Sequence, residues 1–192
     1  MRSHLIALGV LGALIALVLA GTYVYRTNGS LSGESPAKSV SLKAGDLPPG
    51  MTQCSVSGRP QGKGGDTLPY GAVDTWSAVY ADDCNVPPSR RYAFSWVLQF
   101  ESAAAAATAY TTFMGSQGCA TAHGCVDWGL GQNADLNCGT APSGIVSCLG
   151  TWQRDAFMVT FQGIMGSIGE AKRAVVDMDV RAHQIPTPAR TS

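Results

Sequence analysis

The sequence predicts an α+β fold in which an N-terminal transmembrane helix precedes a disulfide-bonded antiparallel sheet with helices packed on one face. Three observations carry this. An uncharged apolar run occupies residues 5–25, and all six cysteines lie downstream of it. The patterned segments beyond it run strand, helix, two or three strands, helix, without the strand and helix alternation that a parallel sheet demands.

At about 1.5 Å rise per residue, residues 5–25 can cross a hydrocarbon core of roughly 30 Å. Arg2 and His4 precede the run and only Arg26 follows closely. The positive-inside bias therefore puts the N-terminus in the cytoplasm and residues 27–192 outside. The alternative is a secreted product, since Val18-Leu19-Ala20 offers small-residue cleavage near Ala20. The run exceeds a usual signal-peptide core of about 7 to 15 residues, which favours a signal-anchor in the cell membrane. The implied organisation is an anchor over residues 1–26, a flexible Ser/Gly/Pro-rich tether over 27–44, an extracytoplasmic domain over 45–186 and a disordered tail over 187–192. One domain of about 145 residues is long enough to bury a real core.

Once Arg2 and Arg26 are set aside, 11 Lys and Arg stand against all 13 Asp and Glu. The charges are dispersed, so no basic track for nucleic acid is present. The membrane, through residues 5–25, is the one partner the sequence specifies.

Residues 46–51 form a turn, and 58–70 read as a long Gly/Pro loop. Residues 71–82 are ambiguous, with the spacing of Val73, Trp76 and Tyr80 favouring a helix. A strand is predicted over 92–100, with Phe94, Trp96, Leu98 and Phe100 facing the core. Ser102 then caps an Ala-rich helix whose Ala106, Tyr110 and Phe113 share a face. After a Gly-rich connection, strands over 134–139 and 144–153 flank a Pro142-Ser143-Gly144 turn. A second hairpin turns at Arg154-Asp155, and Phe157, Val159 and Phe161 share a face beyond it. Ser167 and Glu170 have capping-box spacing at the start of the last helix, where Ile168, Ala171, Val175, Met178 and Ala182 repeat at three and four before Pro186 and Pro188.

Six cysteines allow fifteen pairings. Hairpin symmetry about Ser143 sets Cys138 opposite Cys148. Cys119 and Cys125 would close a small loop, which leaves Cys54 with Cys84. An even count beyond a membrane segment implies an oxidising compartment.

Candidate chemistry is sparse. Cys119, His123 and Cys125 fall within seven residues, but three local ligands without a C-x-x-C pair make a disulfide the better reading, and no metal is expected. Beyond the anchor only His123 and His183 could act as bases, and the latter suits a helix C-terminus. No G-x-S-x-G occurs, and Gly129 to Ala134 matches a dinucleotide fingerprint only formally because a strand follows it. Asp74, Asp82 and Asp83 lack EF-hand spacing and read as solvated. No catalytic residue and no cofactor is assigned. Trp96 reads as core. Trp128, beside Asp127 in a Gly-rich loop, is the candidate ligand contact, with His123 nearby.

The motifs Leu42-Lys-Ala-Gly-Asp46-Leu-Pro-Pro-Gly50-Met, Phe100-Glu-Ser-Ala, Gly129-Leu-Gly131 and Trp152-Gln-Arg154 resemble those of the PknH-like extracellular domain and related sensor-type domains of actinobacterial membrane proteins. The resemblance spans most of residues 42–184. It implies an α+β fold with disulfides and a ligand-accepting cleft. No kinase segment accompanies it here, and only residues 1–4 would remain inside the cell.

The expected function is a membrane-anchored, sensor-like extracytoplasmic domain that binds a small molecule, an envelope component or a protein without catalysis. A cell-envelope enzyme or accessory subunit is the alternative, and a structural interaction module the next.

Overall fold

The structure, a computed structural model, describes residues 35–60, 67–85, 91–115 and 126–186. The predicted anchor, His123 and the Cys119–Cys125 pair lie outside the described residues. Among the described residues no helix is long and apolar enough to cross a membrane.

A short helix α1 (Pro36–Val40) is followed by a meander of β1 (Thr52–Pro60), β2 (Asp74–Ala81) and β3 (Tyr92–Gln99). Helix α2 (Ala103–Met114) leads to a second meander of β4 (Asn133–Thr140), β5 (Val146–Arg154) and β6 (Phe157–Met165), and α3 (Ile168–Gln184) closes the fold. The two meanders join where β3 pairs antiparallel with β6, giving one six-stranded sheet of order β1-β2-β3-β6-β5-β4.

Alternation along the strands separates two faces. On one, Ala78, Tyr80, Ala93, Val97, Leu136, Trp152, Val159 and Phe161 pack beneath α1 and α3, which contribute Ala37, Val40, Ala171, Ala174, Val175, Met178 and Ala182. On the other, Leu98 and Met158 pack with Leu68, Ala72 and Phe100 beneath Ala106 and Ala109 of α2. The helices therefore lie on opposite faces of the sheet, not on one. The predicted inward face of β3 holds in part: Leu98 and Phe100 are buried in the second core with Trp96 packed against it, whereas Phe94 is half-buried beyond it. The strand's smaller residues Ala93, Ser95 and Val97 line the main core, because small side chains let the segment after α1 approach closely. Leu42 N donates to Ser95 Oγ at 3.2 Å, and the Ser41 and Ser95 hydroxyls meet at 3.0 Å.

The part of the predicted tether within the described residues is folded. Ser35 caps α1, its Oγ accepting from Lys38 N and donating to Asp74 Oδ2 at 2.5 Å. The Arg181 guanidinium of α3 bonds the carbonyls of Val40 and Ser41 and the carboxylate of Asp46. Ala37, Val40 and Leu42 are buried. The Ser and Lys residues that suggested a tether serve as caps and cross-links, and three buried apolar residues are too few to register as periodicity.

Two further elements differ from expectation. Strand β1 runs to Pro60 through Gly58, where a Cβ would collide with the Trp76 ring of β2. The segment with helical spacing is β2, because ladders with β1 and β3 on both sides override a weak local pattern. The hairpin register is as predicted. Cys138 pairs with Cys148 and Ala134 with Trp152, and disulfides join Cys138 to Cys148 and Cys54 to Cys84. Ser102 and Ser167 cap α2 and α3 through Ala105 N and Glu170 N.

Candidate ligand-binding face

On the α2 side of the sheet the registers align side chains into rows across the strands. The row nearest α2 holds Thr75, Leu98, Met158 and Gln153, all buried. The next holds Ser77, Trp96, Thr160, Thr151 and Asp135. The third holds Ser55, Val79, Phe94, Gln162 and Leu149, and the fourth Thr52, Ala81, Tyr92, Ile164 and Ser147. On β5 and β6 exposure rises along this series: Thr151 and Thr160 are buried, whereas Gln162 and Ile164 are half-buried and Leu149 is 41% exposed; on β3 Trp96, Phe94 and Tyr92 are all half-buried, and on β2 Ala81 is buried.

Helix width explains the gradient. Near its start α2 meets β5, where Gln153 Nε2 donates to Ala103 O at 3.2 Å, and near its end Phe113 meets Trp96 of β3. The helix thus crosses the strands. At about 10 Å across, it covers about two rows of side chains, which repeat every ~6.8 Å along a strand. Among the described residues, α2 leaves the outer two rows uncovered.

Tyr92, Phe94 and Trp96 form a column down β3, the third of the six strands. Its inner end is fixed: Trp96 Nε1 donates to Thr75 Oγ1 at 3.0 Å, and the ring meets Phe113 edge-on at 6.4 Å. Phe113 in turn meets Tyr70 at 5.7 Å. No residue named in the outer two rows carries a formal charge at neutral pH, and burial raises the Tyr92 phenol, keeping it neutral. The row of Trp96 ends at Asp135, whose carboxyl burial also raises. Burial, and then the charge of Asp135, pushes the Tyr110 hydroxyl up to about 12.

Of the residues predicted to bind, Asp127 and Trp128 lie away from this face. Asp127 is exposed, and its Oδ1 accepts from Gly129 N at 2.9 Å, closing an Asx turn. Trp128 is half-buried against the main core, on the other side of the sheet from the aromatic column. Their loop is tied to the sheet by Val126 N donating to Leu136 O and Gln132 N to Gln153 O. Gly131 permits this with φ +46° where a Cβ would strike the Gln153 carbonyl oxygen. The signal for this face is the alternation of Tyr92, Phe94 and Trp96, which local pattern does not distinguish from the buried Leu98 and Phe100 that continue it.

Other candidates resolve into structural roles. Asp74 is 3% exposed, bonded to Ser35 Oγ and Ala37 N, and burial raises its pKa despite those bonds. It is buried, not solvated as predicted. Asp82 pairs with Arg91, and Asp83 accepts from Asn85 N. His183 Nδ1 lies 2.9 Å from Asp155 Oδ2 with the imidazole 70% exposed, so this acid and base pair is not enclosed in a cleft. Among the described residues no group of three or more acids, histidines or cysteines is placed to hold a metal.

These features define a disulfide-bonded α+β domain with one sheet face covered by helices and the other half open. Its fold is similar to that of the extracellular domain of PknH from Mycobacterium tuberculosis, with a TM-score of 0.54 at 8% identity, covering 82% of this chain and 100% of that one. The resemblance drawn from short sequence motifs is thus matched at the level of fold. No protein-family model and no curated protein matches the chain.

Proposed function

We propose that this chain is a membrane-anchored, extracytoplasmic ligand-binding domain of sensor-like type that works without catalysis. The observation that carries the reading is the half-open sheet face, where a column of aromatic side chains stands on a rigid strand at the centre of the sheet. Ligand sites are concave and largely apolar with a few convergent polar groups, and they are more accurate on strands than on loops. Two disulfides and the fold likeness to an extracellular domain support an oxidising location. The apolar run at 5–25 supports anchoring.

Two measurements test it. Alkaline phosphatase fused after Ser192 is expected to be active in intact cells, and the fusion is expected to resist carbonate extraction from membranes; activity only after lysis would overturn the topology. Hydrogen exchange on the full chain with a cell-envelope extract is expected to protect β3 and β6. Protection confined to residues 126–131 would move the site to Asp127 and Trp128, and none anywhere would overturn ligand binding.

A further inference from the structure

Resting on the ligand-binding reading, we propose that the open face recognises a neutral saccharide, through the Tyr92, Phe94 and Trp96 column and the uncharged polar side chains beside it. The chemistry of the outer rows selects among ligand classes. Among the described residues of the outer two rows, anionic and cationic ligands find no counter-charge. Binding of a formal charge there would forfeit hydration without a pairing partner. A purely apolar chain is poorly matched as well, because Ser55, Gln162 and Ser147 interrupt the hydrophobic positions and would be desolvated beneath it.

A sugar ring suits both halves of this surface. Its C–H face is apolar and stacks on an aromatic ring, whose electron-rich face attracts the slightly positive hydrogens. Its hydroxyls are uncharged donors and acceptors, the complement of serine hydroxyls and of the Gln162 amide, which can donate and accept at once. Residues at i and i+2 on one strand are about 6.8 Å apart, so Tyr92 and Phe94 can meet successive rings of an oligosaccharide laid along β3. The edge-on contact of Trp96 with Phe113 holds the inner end of the platform in place, so its order is paid for in folding rather than on binding.

The full chain in detergent, with disulfides intact, is titrated with mannotetraose, with the acidic trimer of galacturonate and with decanoate, following tryptophan fluorescence and calorimetry. Mannotetraose is expected to bind saturably. Phe94→Ala and Tyr92→Ala are each expected to weaken it by about tenfold, the scale of one aromatic contact. Gln162→Ala, which removes the amide and no aromatic ring, is expected to weaken it severalfold. Trp128→Ala is expected to leave it unchanged. Saturable binding of decanoate or galacturonate that Phe94→Ala abolishes, with none of mannotetraose, would overturn the saccharide assignment and leave ligand binding on this face standing. Mannotetraose binding indifferent to Phe94, Tyr92 and Gln162 would overturn the assignment of this face. Binding of none of the three, with the disulfides verified, would overturn the inference.

Discussion

Asp74 shows how one side chain can fix the pH response of the fold. Its carboxyl is buried at the start of β2 with Oδ2 bonded to Ser35 and Ala37. Desolvation outweighs those bonds and raises the pKa above the ordinary 3.8. A carboxyl whose pKa is raised by folding binds protons more tightly folded than unfolded, so its contribution to stability falls as pH rises from 3.8 through the raised value. Asp135, also raised by burial, adds in the same direction. Urea denaturation of wild type and Asp74→Asn as a function of pH is expected to show a smaller fall across that window in the variant. Identical slopes would remove Asp74 from the account. Sequence alone placed Asp74 at the surface, since an isolated acid beside other acids gives no sign of the Ser35 hydroxyl that reaches it from 39 positions away. Trp128 was similarly underdetermined: a tryptophan in a Gly-rich loop fits either a ligand or the edge of a core, and here it is half-buried against the main core.

At the scale of elements, α1 is the piece that propensity could not find. Five residues make a helix too short to persist alone, and it exists because Arg181 reaches across from α3. That guanidinium satisfies the carbonyls of Val40 and Ser41 and pairs with the largely buried Asp46 at 2.7 Å. Removing one partner of such a pair strands the other, at a cost of about 3 kcal/mol. Arg181→Ala is therefore expected to lower stability by about that amount, with amides of residues 37–42 losing exchange protection before the sheet does. Uniform loss would show that α1 is not a separate cooperative unit. Elements with strong local signals were legible: the capped helices α2 and α3, the β4 and β5 register and the strand β3. The strand β2 and part of the facing of β3 were not, because both depend on which partners approach from either side. Trp76 over Gly58 and α2 crossing Leu98 are contacts between separate elements, which periodicity within one element does not report.

At the scale of the molecule, the two disulfides among the described residues and α2 divide the work of holding the sheet. The ladder that pairs Gln53 with Tyr80 and Ala93 continues through Gly163 to Cys148 and Cys138. Cys54 follows Gln53 at an irregularity in the pairing, so both bridges sit at the same end of the sheet, on its opposite edges, away from the end that α2 covers. They brace the end where the open aromatic face lies. Their energetic weights differ. The Cys54 bridge spans 30 residues and the Cys138 bridge 10, so chain entropy assigns the longer loop about 1 kcal/mol more, within a total of about 3 to 4 kcal/mol. The shorter loop is also closed already by the turn between β4 and β5, where Ala141 N donates to Ile145 O. Replacing Cys54 and Cys84 by Ser is expected to lower the denaturation midpoint more than replacing Cys138 and Cys148. In both variants exchange should accelerate first around Tyr92, Ile164 and Ser147, while the α2 end around Leu98 and Met158 holds. Loosening that began beneath α2 would show that the bridges secure the fold globally instead of bracing its open end.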